Sequence, residues 1–175
     1  VVRLPSGPPT PSPAPPTNPS SPRPTTSPTS PGAPSASSVV SIASAIAGGS
    51  GNATVEAVVT VKPTLLDATG RRIVVEDDSG GIEVLLPTRG TPPALGSRIR
   101  VHGEIGRAYG APRLKADAVS VVGRGSVTAI DLRTAPAGAH EWRLVRIRGD
   151  VVDIHRSGQR WQAELLVAGV RVPIL

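Results

Sequence analysis

From residue 53 onward the apolar positions recur at every second residue, the period of a half-buried β-strand. Val55, Ala57, Val59 and Val61 share one face of a first strand. A turn at Asp67-Ala68-Thr69-Gly70 leads into a second strand over residues 72–77, and Asp78-Ser79-Gly80-Gly81 carries a strong hairpin signal before a third strand over 82–86. Residues 88–95, polar and Pro-rich, read as a connector. Ile99, Val101, Gly103 and Ile105 then alternate with Arg98, Arg100, His102 and Glu104 in a fourth strand. Residues 107–113 read as a loop, and 114–122 as a fifth strand broken near Ala116-Asp117-Ala118. Ahead of the first strand, residues 39–47 place apolar side chains at helical spacing and end in Gly48-Gly49, which predicts a short helix packed on the strands after it.

Five short antiparallel strands predict a small closed barrel, because closure removes the unpaired edges that an open sheet would expose. A glycine inside the fourth strand, Gly103, permits the sharp coil that closure needs. The pattern then starts again. Residues 145–152 resemble the entry strand of the first unit, followed by a turn at 156–159, a strand at 160–167, a turn at Ala168-Gly169 and a strand at 170–175. The approach segments 41–47 and 127–134 also look alike. The expected class is all-β: a five-stranded barrel over 39–124 with a short N-terminal helix, then the first strands of a second such unit over 125–175, truncated inside its third strand. By parity Trp161 shares a face with Ala163 and Leu165 and is expected in a core, while Trp142 is placed to pack over the open barrel end.

Composition changes the picture at the N-terminus. Thirteen of the 20 prolines fall in the first 34 residues, so residues 1–38 are expected to be a disordered, extended Pro/Ser/Thr-rich linker of the kind found in wall-spanning stalks. That composition points to an extracellular or cell-surface chain of bacterial origin. No apolar run is long enough for a membrane span. There is no Cys, which excludes disulfide scaffolds, Cys-ligated metal and thiol catalysis. The formal net charge is +6, but three successive segments contribute +2 each: two basic residues and no acid over 1–50, ten against eight over 51–124, and seven against five over 125–175. No basic block exists, so charge alone gives only modest support to an anionic partner.

Several segments together resemble a known family. Residues 72–86, RIVVEDDSGGIEVLL, then Gly96-Ser97-Arg98-Ile99-Arg100-Val101-His102-Gly103 and Leu114-Lys115-Ala116, are similar to a bacterial OB-fold of the anticodon-binding/nuclease-accessory type. The resemblance covers about residues 53–124. Such domains also occur in secreted bacterial proteins, after Pro-rich linkers and beside lamin-tail and nuclease domains. It implies binding of single-stranded nucleic acid or sugars on the face of strands two and three and the flanking loops. Carried onto this chain, that face offers Arg71, Arg72, Glu76 and Glu83, and the loop between strands four and five offers Arg107, Tyr109 and Arg113; Arg98 and Arg100 lie on the outer face of strand four. Val74 and Leu85 stand where a strong single-strand binder would carry stacking aromatics, leaving Tyr109 as the one aromatic candidate in the first unit.

Catalytic signals are sparse. His102, His140 and His155 read as surface residues at no metal-ligand spacing, and Glu76-Asp77-Asp78 reads as the opening of a hairpin rather than a Ca²⁺ site. No Walker loop, GxSxG or SxxK motif occurs. The expectation is therefore a binding module rather than an enzyme, with no metal and no cofactor. Weak, salt-sensitive contact with single-stranded nucleic acid leads. A structural or protein-interaction spacer, or the accessory domain of an extracellular nuclease, stands beside it, with flanking domains or another surface protein as partners.

Overall fold

The computed structural model describes residues 38–174. The Pro-rich linker expected over 1–38 lies outside this range except for Ser38, as does Leu175. The elements run β1 (Val39–Val40), α1 (Ile42–Ala47), β2 (Gly51–Val59), β3 (Arg72–Glu76), β4 (Gly81–Leu85), β5 (Ser97–Ala108) and β6 (Ala111–Arg124), then β7 (Ile130–Asp131), β8 (Val145–Arg146), β9 (Asp150–Ser157), β10 (Arg160–Val167) and β11 (Val170–Ile174).

Strands β2 to β6 close on themselves in the order β2-β3-β4-β6-β5, with β5 returning to β2. All pairings are antiparallel except β4 with β6, which is parallel. This is a five-stranded OB-type barrel. Its interior is the predicted apolar set: Val55, Val59, Ile73, Val75, Ile82, Val84, Ile99, Val101 and Leu114 are fully buried. Val61 does not join them, because β2 ends at Val59 and the chain turns away.

Gly103 does what its place in the strand suggests. A Cβ there would lie 2.1 Å from the Lys115 carbonyl oxygen and 2.8 Å from the Ala116 Cα. Beside it the β5–β6 register shifts, so that Asp117 is the extra residue of a bulge; this is the break expected in the fifth strand.

Two boundaries differ from expectation. The helix starts at Ile42 rather than Val39, since Ser41 caps it by accepting from the Ser44 N–H at 3.2 Å, while Val39 and Val40 pair in parallel with Thr54 and Val55. Residues 107–113 are not an open loop either. Strands β5 and β6 run on to Ala108 and from Ala111, joined by Tyr109 and Gly110, both at positive φ (54° and 88°). Positive φ at both central residues marks a tight primed turn, and tyrosine lacks the Asn-Gly or Asp-Gly signature that would announce one.

Helix α1 contributes Ile42 and Ala45 to the core and is pinned by the β3–β4 hairpin. The Asp77 carboxylate accepts from the Ile42 N–H at 2.8 Å, and the Ser79 hydroxyl accepts from the Ala43 N–H at 3.0 Å. The same carboxylate accepts from Ser79 N, Ser79 Oγ and Gly80 N, so the hairpin role expected of Asp77 is extended to holding the helix.

Beyond the barrel, β9, β10 and β11 form an antiparallel meander, and β7 pairs in parallel with β8. The entry strand expected over 145–152 is split in two, and 127–134 is not helical: it carries β7, whose parallel pairing is the counterpart of that of β1 with β2.

Candidate interaction face

Outward-pointing residues of β3, β4 and β6 form the face on which an OB barrel ordinarily meets its ligand. The register sets Arg72, Val74 and Glu76 of β3 beside Leu85, Glu83 and Gly81 of β4, with Arg113 and Lys115 of β6 next to Glu83 and Leu85. An exposed platform would suit stacking. Instead the centre of this face is buried: Val74 is 4% exposed, Glu76 9% and Glu83 1%.

Glu83 is held from both sides. Arg72 Nε donates to its Oε1, and Arg113 Nε donates to its Oε2 at 2.6 Å. A carboxylate this deep must have its lost hydration replaced by charge-assisted hydrogen bonds, and two guanidinium groups supply them. Arg71 donates through Nε and Nη2 to the Leu86 carbonyl at 3.1 and 2.9 Å, closing the end of the β3–β4 pair. The turn before it is tied by Asp67, which accepts from Thr69 Oγ1 and N and from the Arg72 N–H. The Thr69 hydroxyl, foremost among these, holds the Asp67 carboxyl below the usual carboxylate range.

The far end of the face is covered by the chain itself. Glu76 accepts from the Leu144 N–H at 2.7 Å, and Arg143 Nε lies 3.6 Å from its other oxygen. The Trp142 carbonyl rests on Gly81 so closely that a Cβ there would be 2.1 Å from its oxygen. Trp142 adopts a φ of 58°. It is half-buried, with its carbonyl on this outer face. Trp142 Nε1, Arg143 Nε and Thr60 Oγ1 are buried without a hydrogen-bond partner. A cavity of about 410 Å³ opens beside Arg143, lined by acids (Glu56, Glu76, Asp77, Asp78) and by Arg98, Arg143 and Thr60.

The seven residues expected to bind nucleic acid therefore fall into three groups. Arg72 and Arg113 meet on Glu83, with Arg71 alongside. Arg98 and Arg100 lie apart, on Glu56 of β2 at 3.7 and 3.0 Å. Arg107 and Tyr109 form the tip of the β5–β6 hairpin, where Arg107 donates to the Gly110 carbonyl and Tyr109 is 96% exposed. The contributions of Glu83 as a keystone and of residues 142–144 as a cover are not apparent from the sequence. The signal that points to them is two acids, Glu76 and Glu83, at outward positions of adjacent strands.

The histidines are dispersed. His102 Nδ1 pairs with Thr54 Oγ1 at 3.0 Å, and His140 Nδ1 accepts from the Ala137 N–H at 3.1 Å. His155 bridges Asp153 and Gln162 at 2.8 and 3.0 Å, and Asp153, chiefly, raises its pKa above the usual imidazole value. Among the described residues no group of three or more His, Asp or Glu is arranged to hold a metal ion. No described helix is long and apolar enough to cross a membrane.

No family model matches the sequence, and no curated protein matches it. Among solved structures the chain is similar to the hypothetical protein YgiW from E. coli, at 17% identity and a TM-score of 0.41, over 49% of this chain and 90% of that one.

Proposed function

We propose that this chain is a non-catalytic structural and protein-interaction module of a secreted or surface-anchored bacterial protein, with the OB face closed in cis rather than offered to nucleic acid. The observation that carries this reading is the burial of that face: residues 142–144 sit on Glu76 and Gly81, and Glu83 engages Arg72 and Arg113. A single-strand binder needs free cations and exposed stacking surfaces. Here Arg72 and Arg113 share the buried Glu83 carboxylate, Arg143 lies against Glu76, and Val74 stands under cover. The even spread of net charge favours the same reading. The Pro/Ser/Thr-rich segment favours a surface location. The motif favours the anticodon-binding/nuclease-accessory type, and the recurrence of a parallel two-residue pairing before a three-stranded meander favours a tandem arrangement.

One observation favours a second reading. Tyr109 projects into solvent beside Arg107 at the hairpin tip, an arrangement suited to weak, salt-sensitive contact with a single strand. A fluorescence-anisotropy titration of labelled single-stranded DNA, at low and moderate salt, separates the two. No saturable binding at low salt supports the closed module. Binding that weakens with salt and drops in Arg107→Ala/Tyr109→Ala removes it in favour of the second reading.

A further inference from the structure

We propose that the cavity beside Arg143 is a binding site for a small aliphatic diamine, a ligand with two ammonium groups joined by a short alkyl chain. The proposal goes beyond the closed-module reading, because this cavity opens next to the covered face rather than under the cover. Its walls come from β2, the β3–β4 hairpin, β5 and the segments after β6. At about 410 Å³ it falls among small-molecule pockets, which run from roughly 300 to 1,000 Å³.

Charge sets the kind of ligand. Two of the four carboxylates in the wall have a cation beside them: Glu56 meets Arg98 and Arg100 at 3.7 and 3.0 Å, and Glu76 lies 3.6 Å from Arg143. Asp77 is held by neutral donors alone, the N–H groups of Ile42, Ser79 and Gly80 and the Ser79 hydroxyl. Among the described residues the Asp78 carboxylate has no hydrogen-bond or ion-pair partner. Asp77 and Asp78 therefore leave two uncompensated negative charges, and a concave wall focuses such an excess on a cation. Among the described residues the acids are not grouped to hold a metal ion. A cation whose charges are spread along a chain matches dispersed acids better than a point ion does.

A second observation, independent of the acids, points to the same ligand. Thr60 lines the cavity, is 8% exposed, and its Oγ1 is buried without a hydrogen-bond partner. A buried hydroxyl left unpaired costs stability, and native structures keep few of them. An ammonium N–H supplies the missing partner. Glu76, equally deep, offers another acceptor: its Oε1 takes the Leu144 N–H, whereas its Oε2 faces Arg143 Nε at 3.6 Å, outside hydrogen-bond reach. Ala57 and Val58 of β2 add an apolar wall for the methylenes. One ammonium is thus assigned to Thr60 and Glu76, and the other to the exposed Asp78.

The test is a calorimetric titration of the whole chain with putrescine at low salt. A ligand of this size should bind with Kd on the order of 0.1–1 mM, and more weakly as salt rises. Thr60→Val keeps the shape and removes a hydroxyl that bonds to nothing; it should weaken binding ~10-fold without lowering the thermal midpoint. Asp78→Asn should weaken binding by about 3- to 10-fold. Glu104→Gln, which removes an exposed carboxylate outside the cavity, should leave it unchanged. Fluorescence gives a second readout. Trp161 shares a face of β10 with Ala163 and Leu165, as expected, but is 65% exposed rather than in a core. Trp161→Phe therefore spares the barrel and leaves Trp142, next to Arg143, as the single tryptophan; its emission should change with the same midpoint as the heat. No saturable binding at low salt overturns the proposal, and so does binding that Thr60→Val and Asp78→Asn both leave unchanged. Acetyl-lysine methylamide carries one ammonium on a similar chain and should bind ~10-fold more weakly than putrescine. The reverse order overturns the free diamine in favour of a basic side chain of another polypeptide.

Discussion

Replacing Arg72 and Arg113 together by alanine leaves the Glu83 carboxylate buried with neither cation beside it. The size of the effect comes from the geometry. Glu83 is 1% exposed, whereas the Arg72 and Arg113 side chains are 31% and 19% exposed. The burial penalty therefore sits on the carboxylate, and the arginines, partly screened by water, serve mainly to offset it. Arg113→Ala alone removes one charge-assisted hydrogen bond but leaves Arg72 in place, a loss of about 1–2 kcal/mol. The double variant strips both and should cost about 3–5 kcal/mol, a large part of the roughly 5–15 kcal/mol that holds a small domain together. The costs should thus be more than additive, by about 1 kcal/mol or more. Glu83→Gln, which removes the charge and lets the arginines turn to solvent, should cost less than the double variant. Guanidinium unfolding of the parent chain, both single arginine variants, the double variant and Glu83→Gln, monitored by far-UV circular dichroism and extrapolated linearly, measures this. If the double variant loses no more than the sum of the singles, Glu83 is hydrated in solution and the face is not closed over it.

Other perturbations probe the cover, the barrel closure, the hairpin and the meander. Gly81→Ala sets a Cβ 2.1 Å from the Trp142 carbonyl oxygen; the covering segment should lift, at about 1–3 kcal/mol, and hydrogen exchange should speed at the Leu144 amide while Val75 stays protected. Gly103→Ala puts a Cβ into the Lys115 carbonyl at the point where β5 coils, and should lower the thermal midpoint more than Gly81→Ala, because it strikes barrel closure itself. Asp77→Ala removes four hydrogen bonds that tie the hairpin and the helix, and should cost about 3 kcal/mol, with Asp77→Asn milder; equal losses would mean that charge, not geometry, is what matters there. His155 should titrate above 6.5, raised first by Asp153. A group whose folded pKa is raised adds stability that is complete below its unfolded value and lost as pH rises through the folded one. Amide protection in β9 and β10 should therefore fall across neutral pH, and an NMR titration of His155 at or below its ordinary value refutes this.

The barrel is legible in the sequence because alternation is a local signal. Val55 to Val59 and Ile99 to Ile105 alternate with period two, Gly80-Gly81 marks a hairpin, and Gly103 marks a coil, so the strands and the interior emerge from near neighbours, whereas the parallel β4–β6 pairing and the return of β5 to β2 join strands that are not consecutive. Boundaries suffer where the chemistry is unusual, as in the Tyr109-Gly110 turn, whose first residue is none of the customary turn formers. Trp161 shows a different limit. Parity assigns a side chain to a face but says nothing of whether that face is covered, since covering is a long-range property.

The same limit explains the reading of the arginines. Cations such as Arg72 and Arg113 on an OB face suggest phosphate, yet what a cation does depends on the nearest carboxylate. Glu83 lies eleven residues from Arg72 and thirty from Arg113 in sequence, and the cover over Glu76 arrives sixty-eight residues later at Leu144. A face meant to take up and release a ligand has to remain hydrated and open in the free protein, because a buried carboxylate stripped of its partners is costly. A face fixed by ion pairs under a segment of its own chain has no such need. Two outward acids on adjacent strands, where a binder would place aromatics, are what that second design requires.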